Sequence, residues 1–199
     1  IAAFRHLSNI RYYTGTGNTT FLLTNKNMDW TAVGTGVYDF VSNKNRANDV
    51  QLLAWKENNS GRIFDFPTIA TLDSNYTLKG EGSQTLISNL KLGEESIVDG
   101  KKYLGLFGEV SGEITTVTLQ NATLTLAASD SSYDSVQATG IVAGRSEGNL
   151  QNISVTSDKS NVEVTLTNET QAAVGGIVGM FAKGNGGQLS RGTCSNVSM

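Results

Sequence analysis

Short runs of alternating apolar and polar residues, separated by glycines or by Asn, Asp and Ser turns, occupy most of this chain. Period-two alternation predicts β-strands with one buried face. Residues 19–24 put Phe21 and Leu23 on one side, and 28–34 make a second short strand ending in a glycine turn. Asp73-Ser74-Asn75 reads as a turn, Tyr76-Thr77-Leu78 as a strand, and 87–92 as a further strand after the Gly80-Glu81-Gly82 turn. The start of the chain follows another period. Phe4, Leu7, Ile10 and Arg11 have helical spacing, which predicts a short amphipathic helix over 2–13, stopped by the glycine-rich stretch 14–18. Residues 42–48 read as a polar loop. In 49–66, a strand over 50–55 and the alternating run 62–66 read as a hairpin inserted between regular segments.

From residue 105 onward the pattern repeats. Gly105-Leu106-Phe107-Gly108 returns as Gly140-Ile141-Val142-Ala143-Gly144 and as Gly176-Ile177-Val178-Gly179, with first glycines 35 and 36 residues apart. Behind each comes another glycine and a short strand: 112–119, 148–155, then Gly187-Gln188-Leu189 with 194–199. A period of about 20–50 residues signals repeats that bury apolar faces only against their neighbours. The expected columns set Ile87, Leu90 and Leu92 beside Ile114, Val117 and Leu119, and beside Leu150, Ile153 and Val155. In the last repeat either Leu189 or the set Cys194, Val197 and Met199 continues the column. The second keeps the Ser-Asn-apolar order and is preferred. The fold expected is all-β, a parallel β-helix of one domain. Residues 1–18 form a capping helix and turn, 19–104 irregular first repeats with an insertion near 41–66, and 105–199 the regular repeats.

Composition narrows the picture. Charged residues are 17% of the chain, below the usual quarter or so, and net charge is -3 with no basic stripe. That argues against a nucleic-acid partner. No run of 18 apolar residues occurs, so no membrane insertion through a helix is expected. Cys194 stands alone, which excludes an internal disulfide and reads as a small buried hydrophobe. The chain opens at Ile1 and closes inside a repeat, so a piece of a longer protein is expected.

Around these residues the chain resembles the GLUG-type repeat family of bacterial surface proteins. That pattern is Gly-apolar-apolar-Gly, a polar turn, then Gly-x-apolar-x-Asn-apolar, and 105–117 and 176–189 match it best. It covers most of the chain, most weakly 35–66, and departs at Ala143, where glycine is usual, and at the long spacer before Leu150 and Thr165. The resemblance implies a right-handed parallel β-helix and an extracellular setting, secreted or on the bacterial cell surface. Adhesins and the N-terminal regions of immunoglobulin-A metalloproteases carry such repeats.

Catalytic chemistry finds little support. His6 is the sole histidine, so neither a His-rich zinc site nor a Ser-His-Asp triad can be assembled without it. Asp130 with Asp134, and Glu94 with Glu95, are close carboxylate pairs, but both read as solvated loops. Asp73-Ser74-Asn75 begins like a calcium loop, yet Leu78 and Gln84 stand where glycine and glutamate belong. No cofactor is expected, weak Ca²⁺ binding in the 130–135 loop aside. The candidate ligand-binding residues are Trp55, Asp130, Tyr133 and Asp134, on loops where recognition commonly sits. Trp30 reads as core, while the Tyr12-Tyr13 pair could stack on sugar rings. The function expected is a non-enzymatic adhesin-like or stalk module. Its partners would be a host or matrix protein or glycan, together with adjacent repeats or domains of its own chain. The alternatives are a substrate-positioning segment of a secreted or wall-anchored metalloprotease and, last, a polysaccharide-degrading β-helix.

Overall fold

The computed structural model describes residues 1, 4–24, 26–30, 65–82, 85–93, 96, 102–126, 136–157, 162–166, 173–182, 188–195 and 197–198. Among the described residues the fold is all-β apart from one short helix, Phe4–Ser8, which tightens into a 3-10 turn at Asn9–Tyr12. All but residues 65 and 66 of the predicted hairpin within 49–66 and of the predicted insertion near 41–66 fall outside the described residues.

Four sheets account for the strands among the described residues. In the first, Thr19–Leu23, Tyr76–Gly80, Glu113–Gln120, Asn149–Thr156 and Gln188–Ser190 lie side by side in that order. Asn27–Asp29, Leu86–Ser88 and Thr193–Ser195 extend it. A second sheet joins Lys91–Leu92, Thr123–Leu126, Val162–Leu166 and Val197–Ser198. The third joins Tyr103–Leu104, Ala138–Gly140 and Ala173–Gly175, and the fourth Ile69–Leu72, Phe107–Val110, Ala143–Ser146 and Val178–Phe181. Every strand pair among the described residues is parallel. Parallel neighbours need long connections. The described strands between Glu113–Gln120 and Asn149–Thr156 are Thr123–Leu126, Ala138–Gly140 and Ala143–Ser146, one in each of the other sheets.

Register brings like residues together. Leu78, Ile114, Leu150 and Leu189 are neighbours in one column of the first sheet, at steps of 36, 36 and 39 residues. Ile87, Leu119, Val155 and Cys194 form the next. Between the two columns the chain bends at a residue with left-handed backbone: Thr116 (φ 59), Asn152 (φ 53) or Arg191 (φ 54). A second bend follows at Asn89 (φ 56) and Asn121 (φ 54). Asparagine tolerates this conformation better than most residues, and threonine tolerates it poorly. At the second bend the side chains also link the strands. Asn89 Nδ2 donates to Asp29 Oδ1 at 2.8 Å, and Ser157 Oγ to Asn121 Oδ1 at 3.2 Å.

The bends correct the predicted columns. A left-handed residue resets the alternation, so the apolar residues two before it and one after it both point inward. Ile87 and Leu90, Ile114 and Val117, Leu119 and Ala122, and Leu150 and Ile153 are all buried for this reason. The same spacing thus occurs at both bends of a repeat. Ile87 belongs beside Leu119, not Ile114, and Leu92 beside Leu124, not Leu119. Likewise Leu189, not Cys194, continues the Leu150 column, while Cys194 sits beside Val155. Cys194 is exposed rather than buried, since it lies on the last described strand of its sheet.

The repeated glycines stand where sheets three and four turn into each other. Gly140 pairs with Gly175, not the predicted Gly176, and one extra residue sits in the later turns. A Cβ on Gly105 would lie 2.6 Å from the Gly140 carbonyl oxygen, and one on Gly140 2.5 Å from that of Ala143. No side chain fits there.

A helix is present where one was predicted, shorter than 2–13: Phe4–Ser8 with the 3-10 turn after it. Phe4, Leu7 and Ile10 are buried, as the helical spacing requires. Phe4 meets Trp30 edge-on at 4.9 Å between ring centres, and Phe66 lies 5.4 Å from Trp30. Trp30 is core, as its strand pattern implied.

A polar groove as candidate binding site

An open groove of about 310 Å³ follows the turn where the chain passes from the fourth sheet into the first. Its floor is an outward column of the first sheet. Thr20, Thr77, Glu113 and Asn149 are register neighbours on four successive strands. One wall is the preceding turn, with Ser74, Asn75 and Ser111. The turn passes close to the strand before it. A Cβ on Gly112 would run into the carbonyl oxygens of Tyr76 and Asp73, so glycine is required there. Glu113 is the one ionisable carboxylate among the lining residues, and no Lys or Arg is among them.

An aromatic cluster adjoins the groove through Tyr76 and Thr19. Tyr13, Phe21 and Tyr76 meet edge-to-face, with ring centres 5.3 Å (Tyr13–Phe21), 5.4 Å (Tyr13–Tyr76) and 5.5 Å (Phe21–Tyr76) apart. Such pairs fix ring orientation as well as adding burial. Tyr13 remains 44% exposed, and its hydroxyl shares a hydrogen bond of 3.1 Å with Thr19 Oγ1, itself on the groove wall. Tyr76 is buried and donates to the Gly15 carbonyl at 2.8 Å. Burial, then the charge of Asp73 and the neighbouring Tyr13, holds the Tyr76 phenol above the usual tyrosine range, which keeps it a donor.

A second polar cluster lies on the fourth sheet. Arg145 is the register neighbour of Glu109, bonds it at 2.5 Å, and also pairs with Glu147. The Tyr103 ring centre is 5.8 Å from its guanidinium carbon. Burial works against the Arg145 charge, and the hydrogen bonds to Glu109 and Glu147 outweigh it and raise its pKa. With each carboxylate engaged by the guanidinium, this is an ion-pair ladder between strands.

Of the predicted binding residues, Trp55, Asp130, Tyr133 and Asp134 all lie outside the described residues. Asp73-Ser74-Asn75 is a plain turn, closed by the Tyr76 N–H to the Asp73 carbonyl at 2.9 Å. His6 is exposed on the helix, and Cys194 lies on the last strand of the first sheet. Tyr13, singled out from sequence, packs on Phe21 and Tyr76 and is not among the groove's lining residues. Thr77, Glu113 and Asn149 were missed. A signal for two of them exists: each directly follows a turn glycine, in Gly112-Glu113 and Gly148-Asn149.

No protein-family model, curated protein or solved structure matches this chain.

Proposed function

We propose that the chain is a right-handed parallel β-helix and serves as a non-enzymatic, adhesin-like module of a bacterial surface protein. In this reading it sits outside the cell and either binds a host or matrix ligand or holds neighbouring domains apart. The observation that carries the reading is the register: Leu78, Ile114, Leu150 and Leu189 pair in parallel across successive repeats, and three further sheets follow the same order. Such stacking makes a stiff scaffold with long polar faces, suited to recognition or spacing. The likeness of 105–117 and 176–189 to GLUG repeats supports the setting. Two described carboxylates, Glu109 and Glu147, are both tied to Arg145, which favours a structural role for them over hydrolysis.

The test is retention of the labelled full chain on immobilised matrix proteins and on host-cell glycans, alongside hydrolysis assays on peptides and polysaccharides with and without Zn²⁺ or Ca²⁺. Saturable retention without turnover is the expected result. Turnover by the purified chain would overturn the non-enzyme reading, and a crystal structure with antiparallel pairing in the first sheet would end the β-helix.

A further inference from the structure

We propose that Asn75 is an acceptor for N-linked glycosylation by a bacterial oligosaccharyltransferase. The inference rests on the proposed surface setting, because such enzymes act outside the cytoplasm. Asn-x-Ser/Thr acceptor sequences begin at Asn18, Asn58, Asn75, Asn121, Asn152, Asn168 and Asn196. Bacterial transferases of this class also read an acidic residue two positions ahead of the asparagine. The residues there are Thr16, Lys56, Asp73, Leu119, Leu150, Leu166 and Cys194, in the same order. Asp73-Ser74-Asn75-Tyr76-Thr77 alone meets both demands.

The fold presents that sequence in usable form. Asp73, Ser74 and Asn75 are all exposed on the turn before the strand Tyr76–Gly80. The Asn75 backbone is fixed, its carbonyl accepting from the Thr19 N–H at 2.9 Å, while its side-chain amide has no hydrogen-bond partner among the described residues. Asn75 and Thr77 both line the open groove, so an enzyme reaches the amide and the hydroxyl from one side. The sequences at the bends are different. Asn121 and Asn152 have left-handed backbone, Leu119 and Leu150 ahead of them are buried, and Asn121 Oδ1 accepts from Ser157. Asn18 is the informative neighbour. Thr19 pairs with Tyr76 and Thr20 with Thr77, so Asn18-Thr19-Thr20 lies in register beside the Asn75 sequence. Asn18 is likewise exposed and on the same groove, but Thr16 stands where Asp73 does. In the transfer, Asn75 Nδ2 bonds to C1 of an oligosaccharide carried on a polyprenyl diphosphate. The C1–O bond to phosphate breaks, the diphosphate leaves with its electron pair, and the amide gives one proton to the enzyme's base.

The experiment incubates the purified, folded full chain with a bacterial oligosaccharyltransferase of this class and a polyprenyl-diphosphate oligosaccharide, and reads intact mass and the modified residue by mass spectrometry. One glycan per chain is expected, at Asn75. Asn75→Gln and Asp73→Ala should each abolish the transfer, while Asp73→Glu keeps it. In the Asn75→Gln chain, adding Thr16→Asp should bring the glycan to Asn18, a gain that misfolding does not produce. A parent chain left unmodified, a glycan found on another asparagine instead, or transfer that survives Asp73→Ala would overturn the proposal. Retention on matrix proteins and host-cell glycans is measured on the same preparations. A chain that is not modified yet adheres removes the acceptor site and leaves the adhesin reading standing. A chain that is modified and adheres to nothing does the reverse.

Discussion

Leu150 and Leu189 are the same residue type in the same column, on adjacent strands, yet Leu150 is 1% exposed and Leu189 is 40% exposed. The difference is company. Leu150 has Ile114 on one side and Leu189 on the other, while Leu189 has a described neighbour on one side alone. Phe181 repeats the lesson, exposed at the end of a column whose earlier members, Leu72, Val110 and Ser146, are buried. At the opposite end of the sheets the helix supplies the missing neighbour. Phe4, Leu7 and Ile10 are buried there, with Trp30 and Phe66 beneath Phe4. In a repeat fold each apolar face is buried by the next repeat, so an end needs either a cap or another partner.

The sharpest way to break this comparison is to place one charge at two heights of one column. Leu150→Asp should cost roughly 3–5 kcal/mol, the penalty of an uncompensated buried charge. Leu189→Asp should stay within about 0.5 kcal/mol, as for an exposed site. Urea denaturation of both variants measures the difference, and equal losses would mean that the end is as closed as the middle. Next in size is the cap. Phe4→Ala removes a ring buried against two others and should cost about 3 kcal/mol, whereas Phe181→Ala should cost less than about 1 kcal/mol. A melting-temperature shift for Phe181→Ala as large as that for Phe4→Ala would show that the exposed ring is packed in solution.

The smallest effect has the opposite sign. Thr139 is fully buried, its hydroxyl has no hydrogen-bond partner among the described residues, and its register neighbours are Leu104 and Val174. Thr139→Val should therefore stabilise the chain by about 1 kcal/mol. At the open end Thr193 donates to Ser154 Oγ at 2.9 Å and is exposed, so Thr193→Val should change stability by no more than about 0.5 kcal/mol. Calorimetry that finds Thr139→Val destabilising would show that the buried hydroxyl is satisfied after all.

Local features of the chain were legible wherever the cause was local. Helical spacing of Phe4, Leu7 and Ile10 identified the short helix, because the face of a helix that packs on a core must be apolar. Alternation located the strands, and recurring glycines marked the tight turns. The polar groove was not legible. Thr77, Glu113 and Asn149 are ordinary polar residues until stacking sets them in a row.

By itself, then, the sequence determined the strands, the parallel repeat and the residues able to face inward, since these follow from side-chain period and backbone sterics. Register was decided by the tertiary structure. Ile87 could match Ile114 or Leu119, and Leu189 competed with Cys194, because a left-handed residue produces the same apolar spacing at either bend. Choosing among such matches requires whole columns to pack at once, and that sum over neighbours is not contained in any one stretch of chain. Burial was decided the same way, since Leu150 and Leu189 differ in what lies beside them and not in what they are.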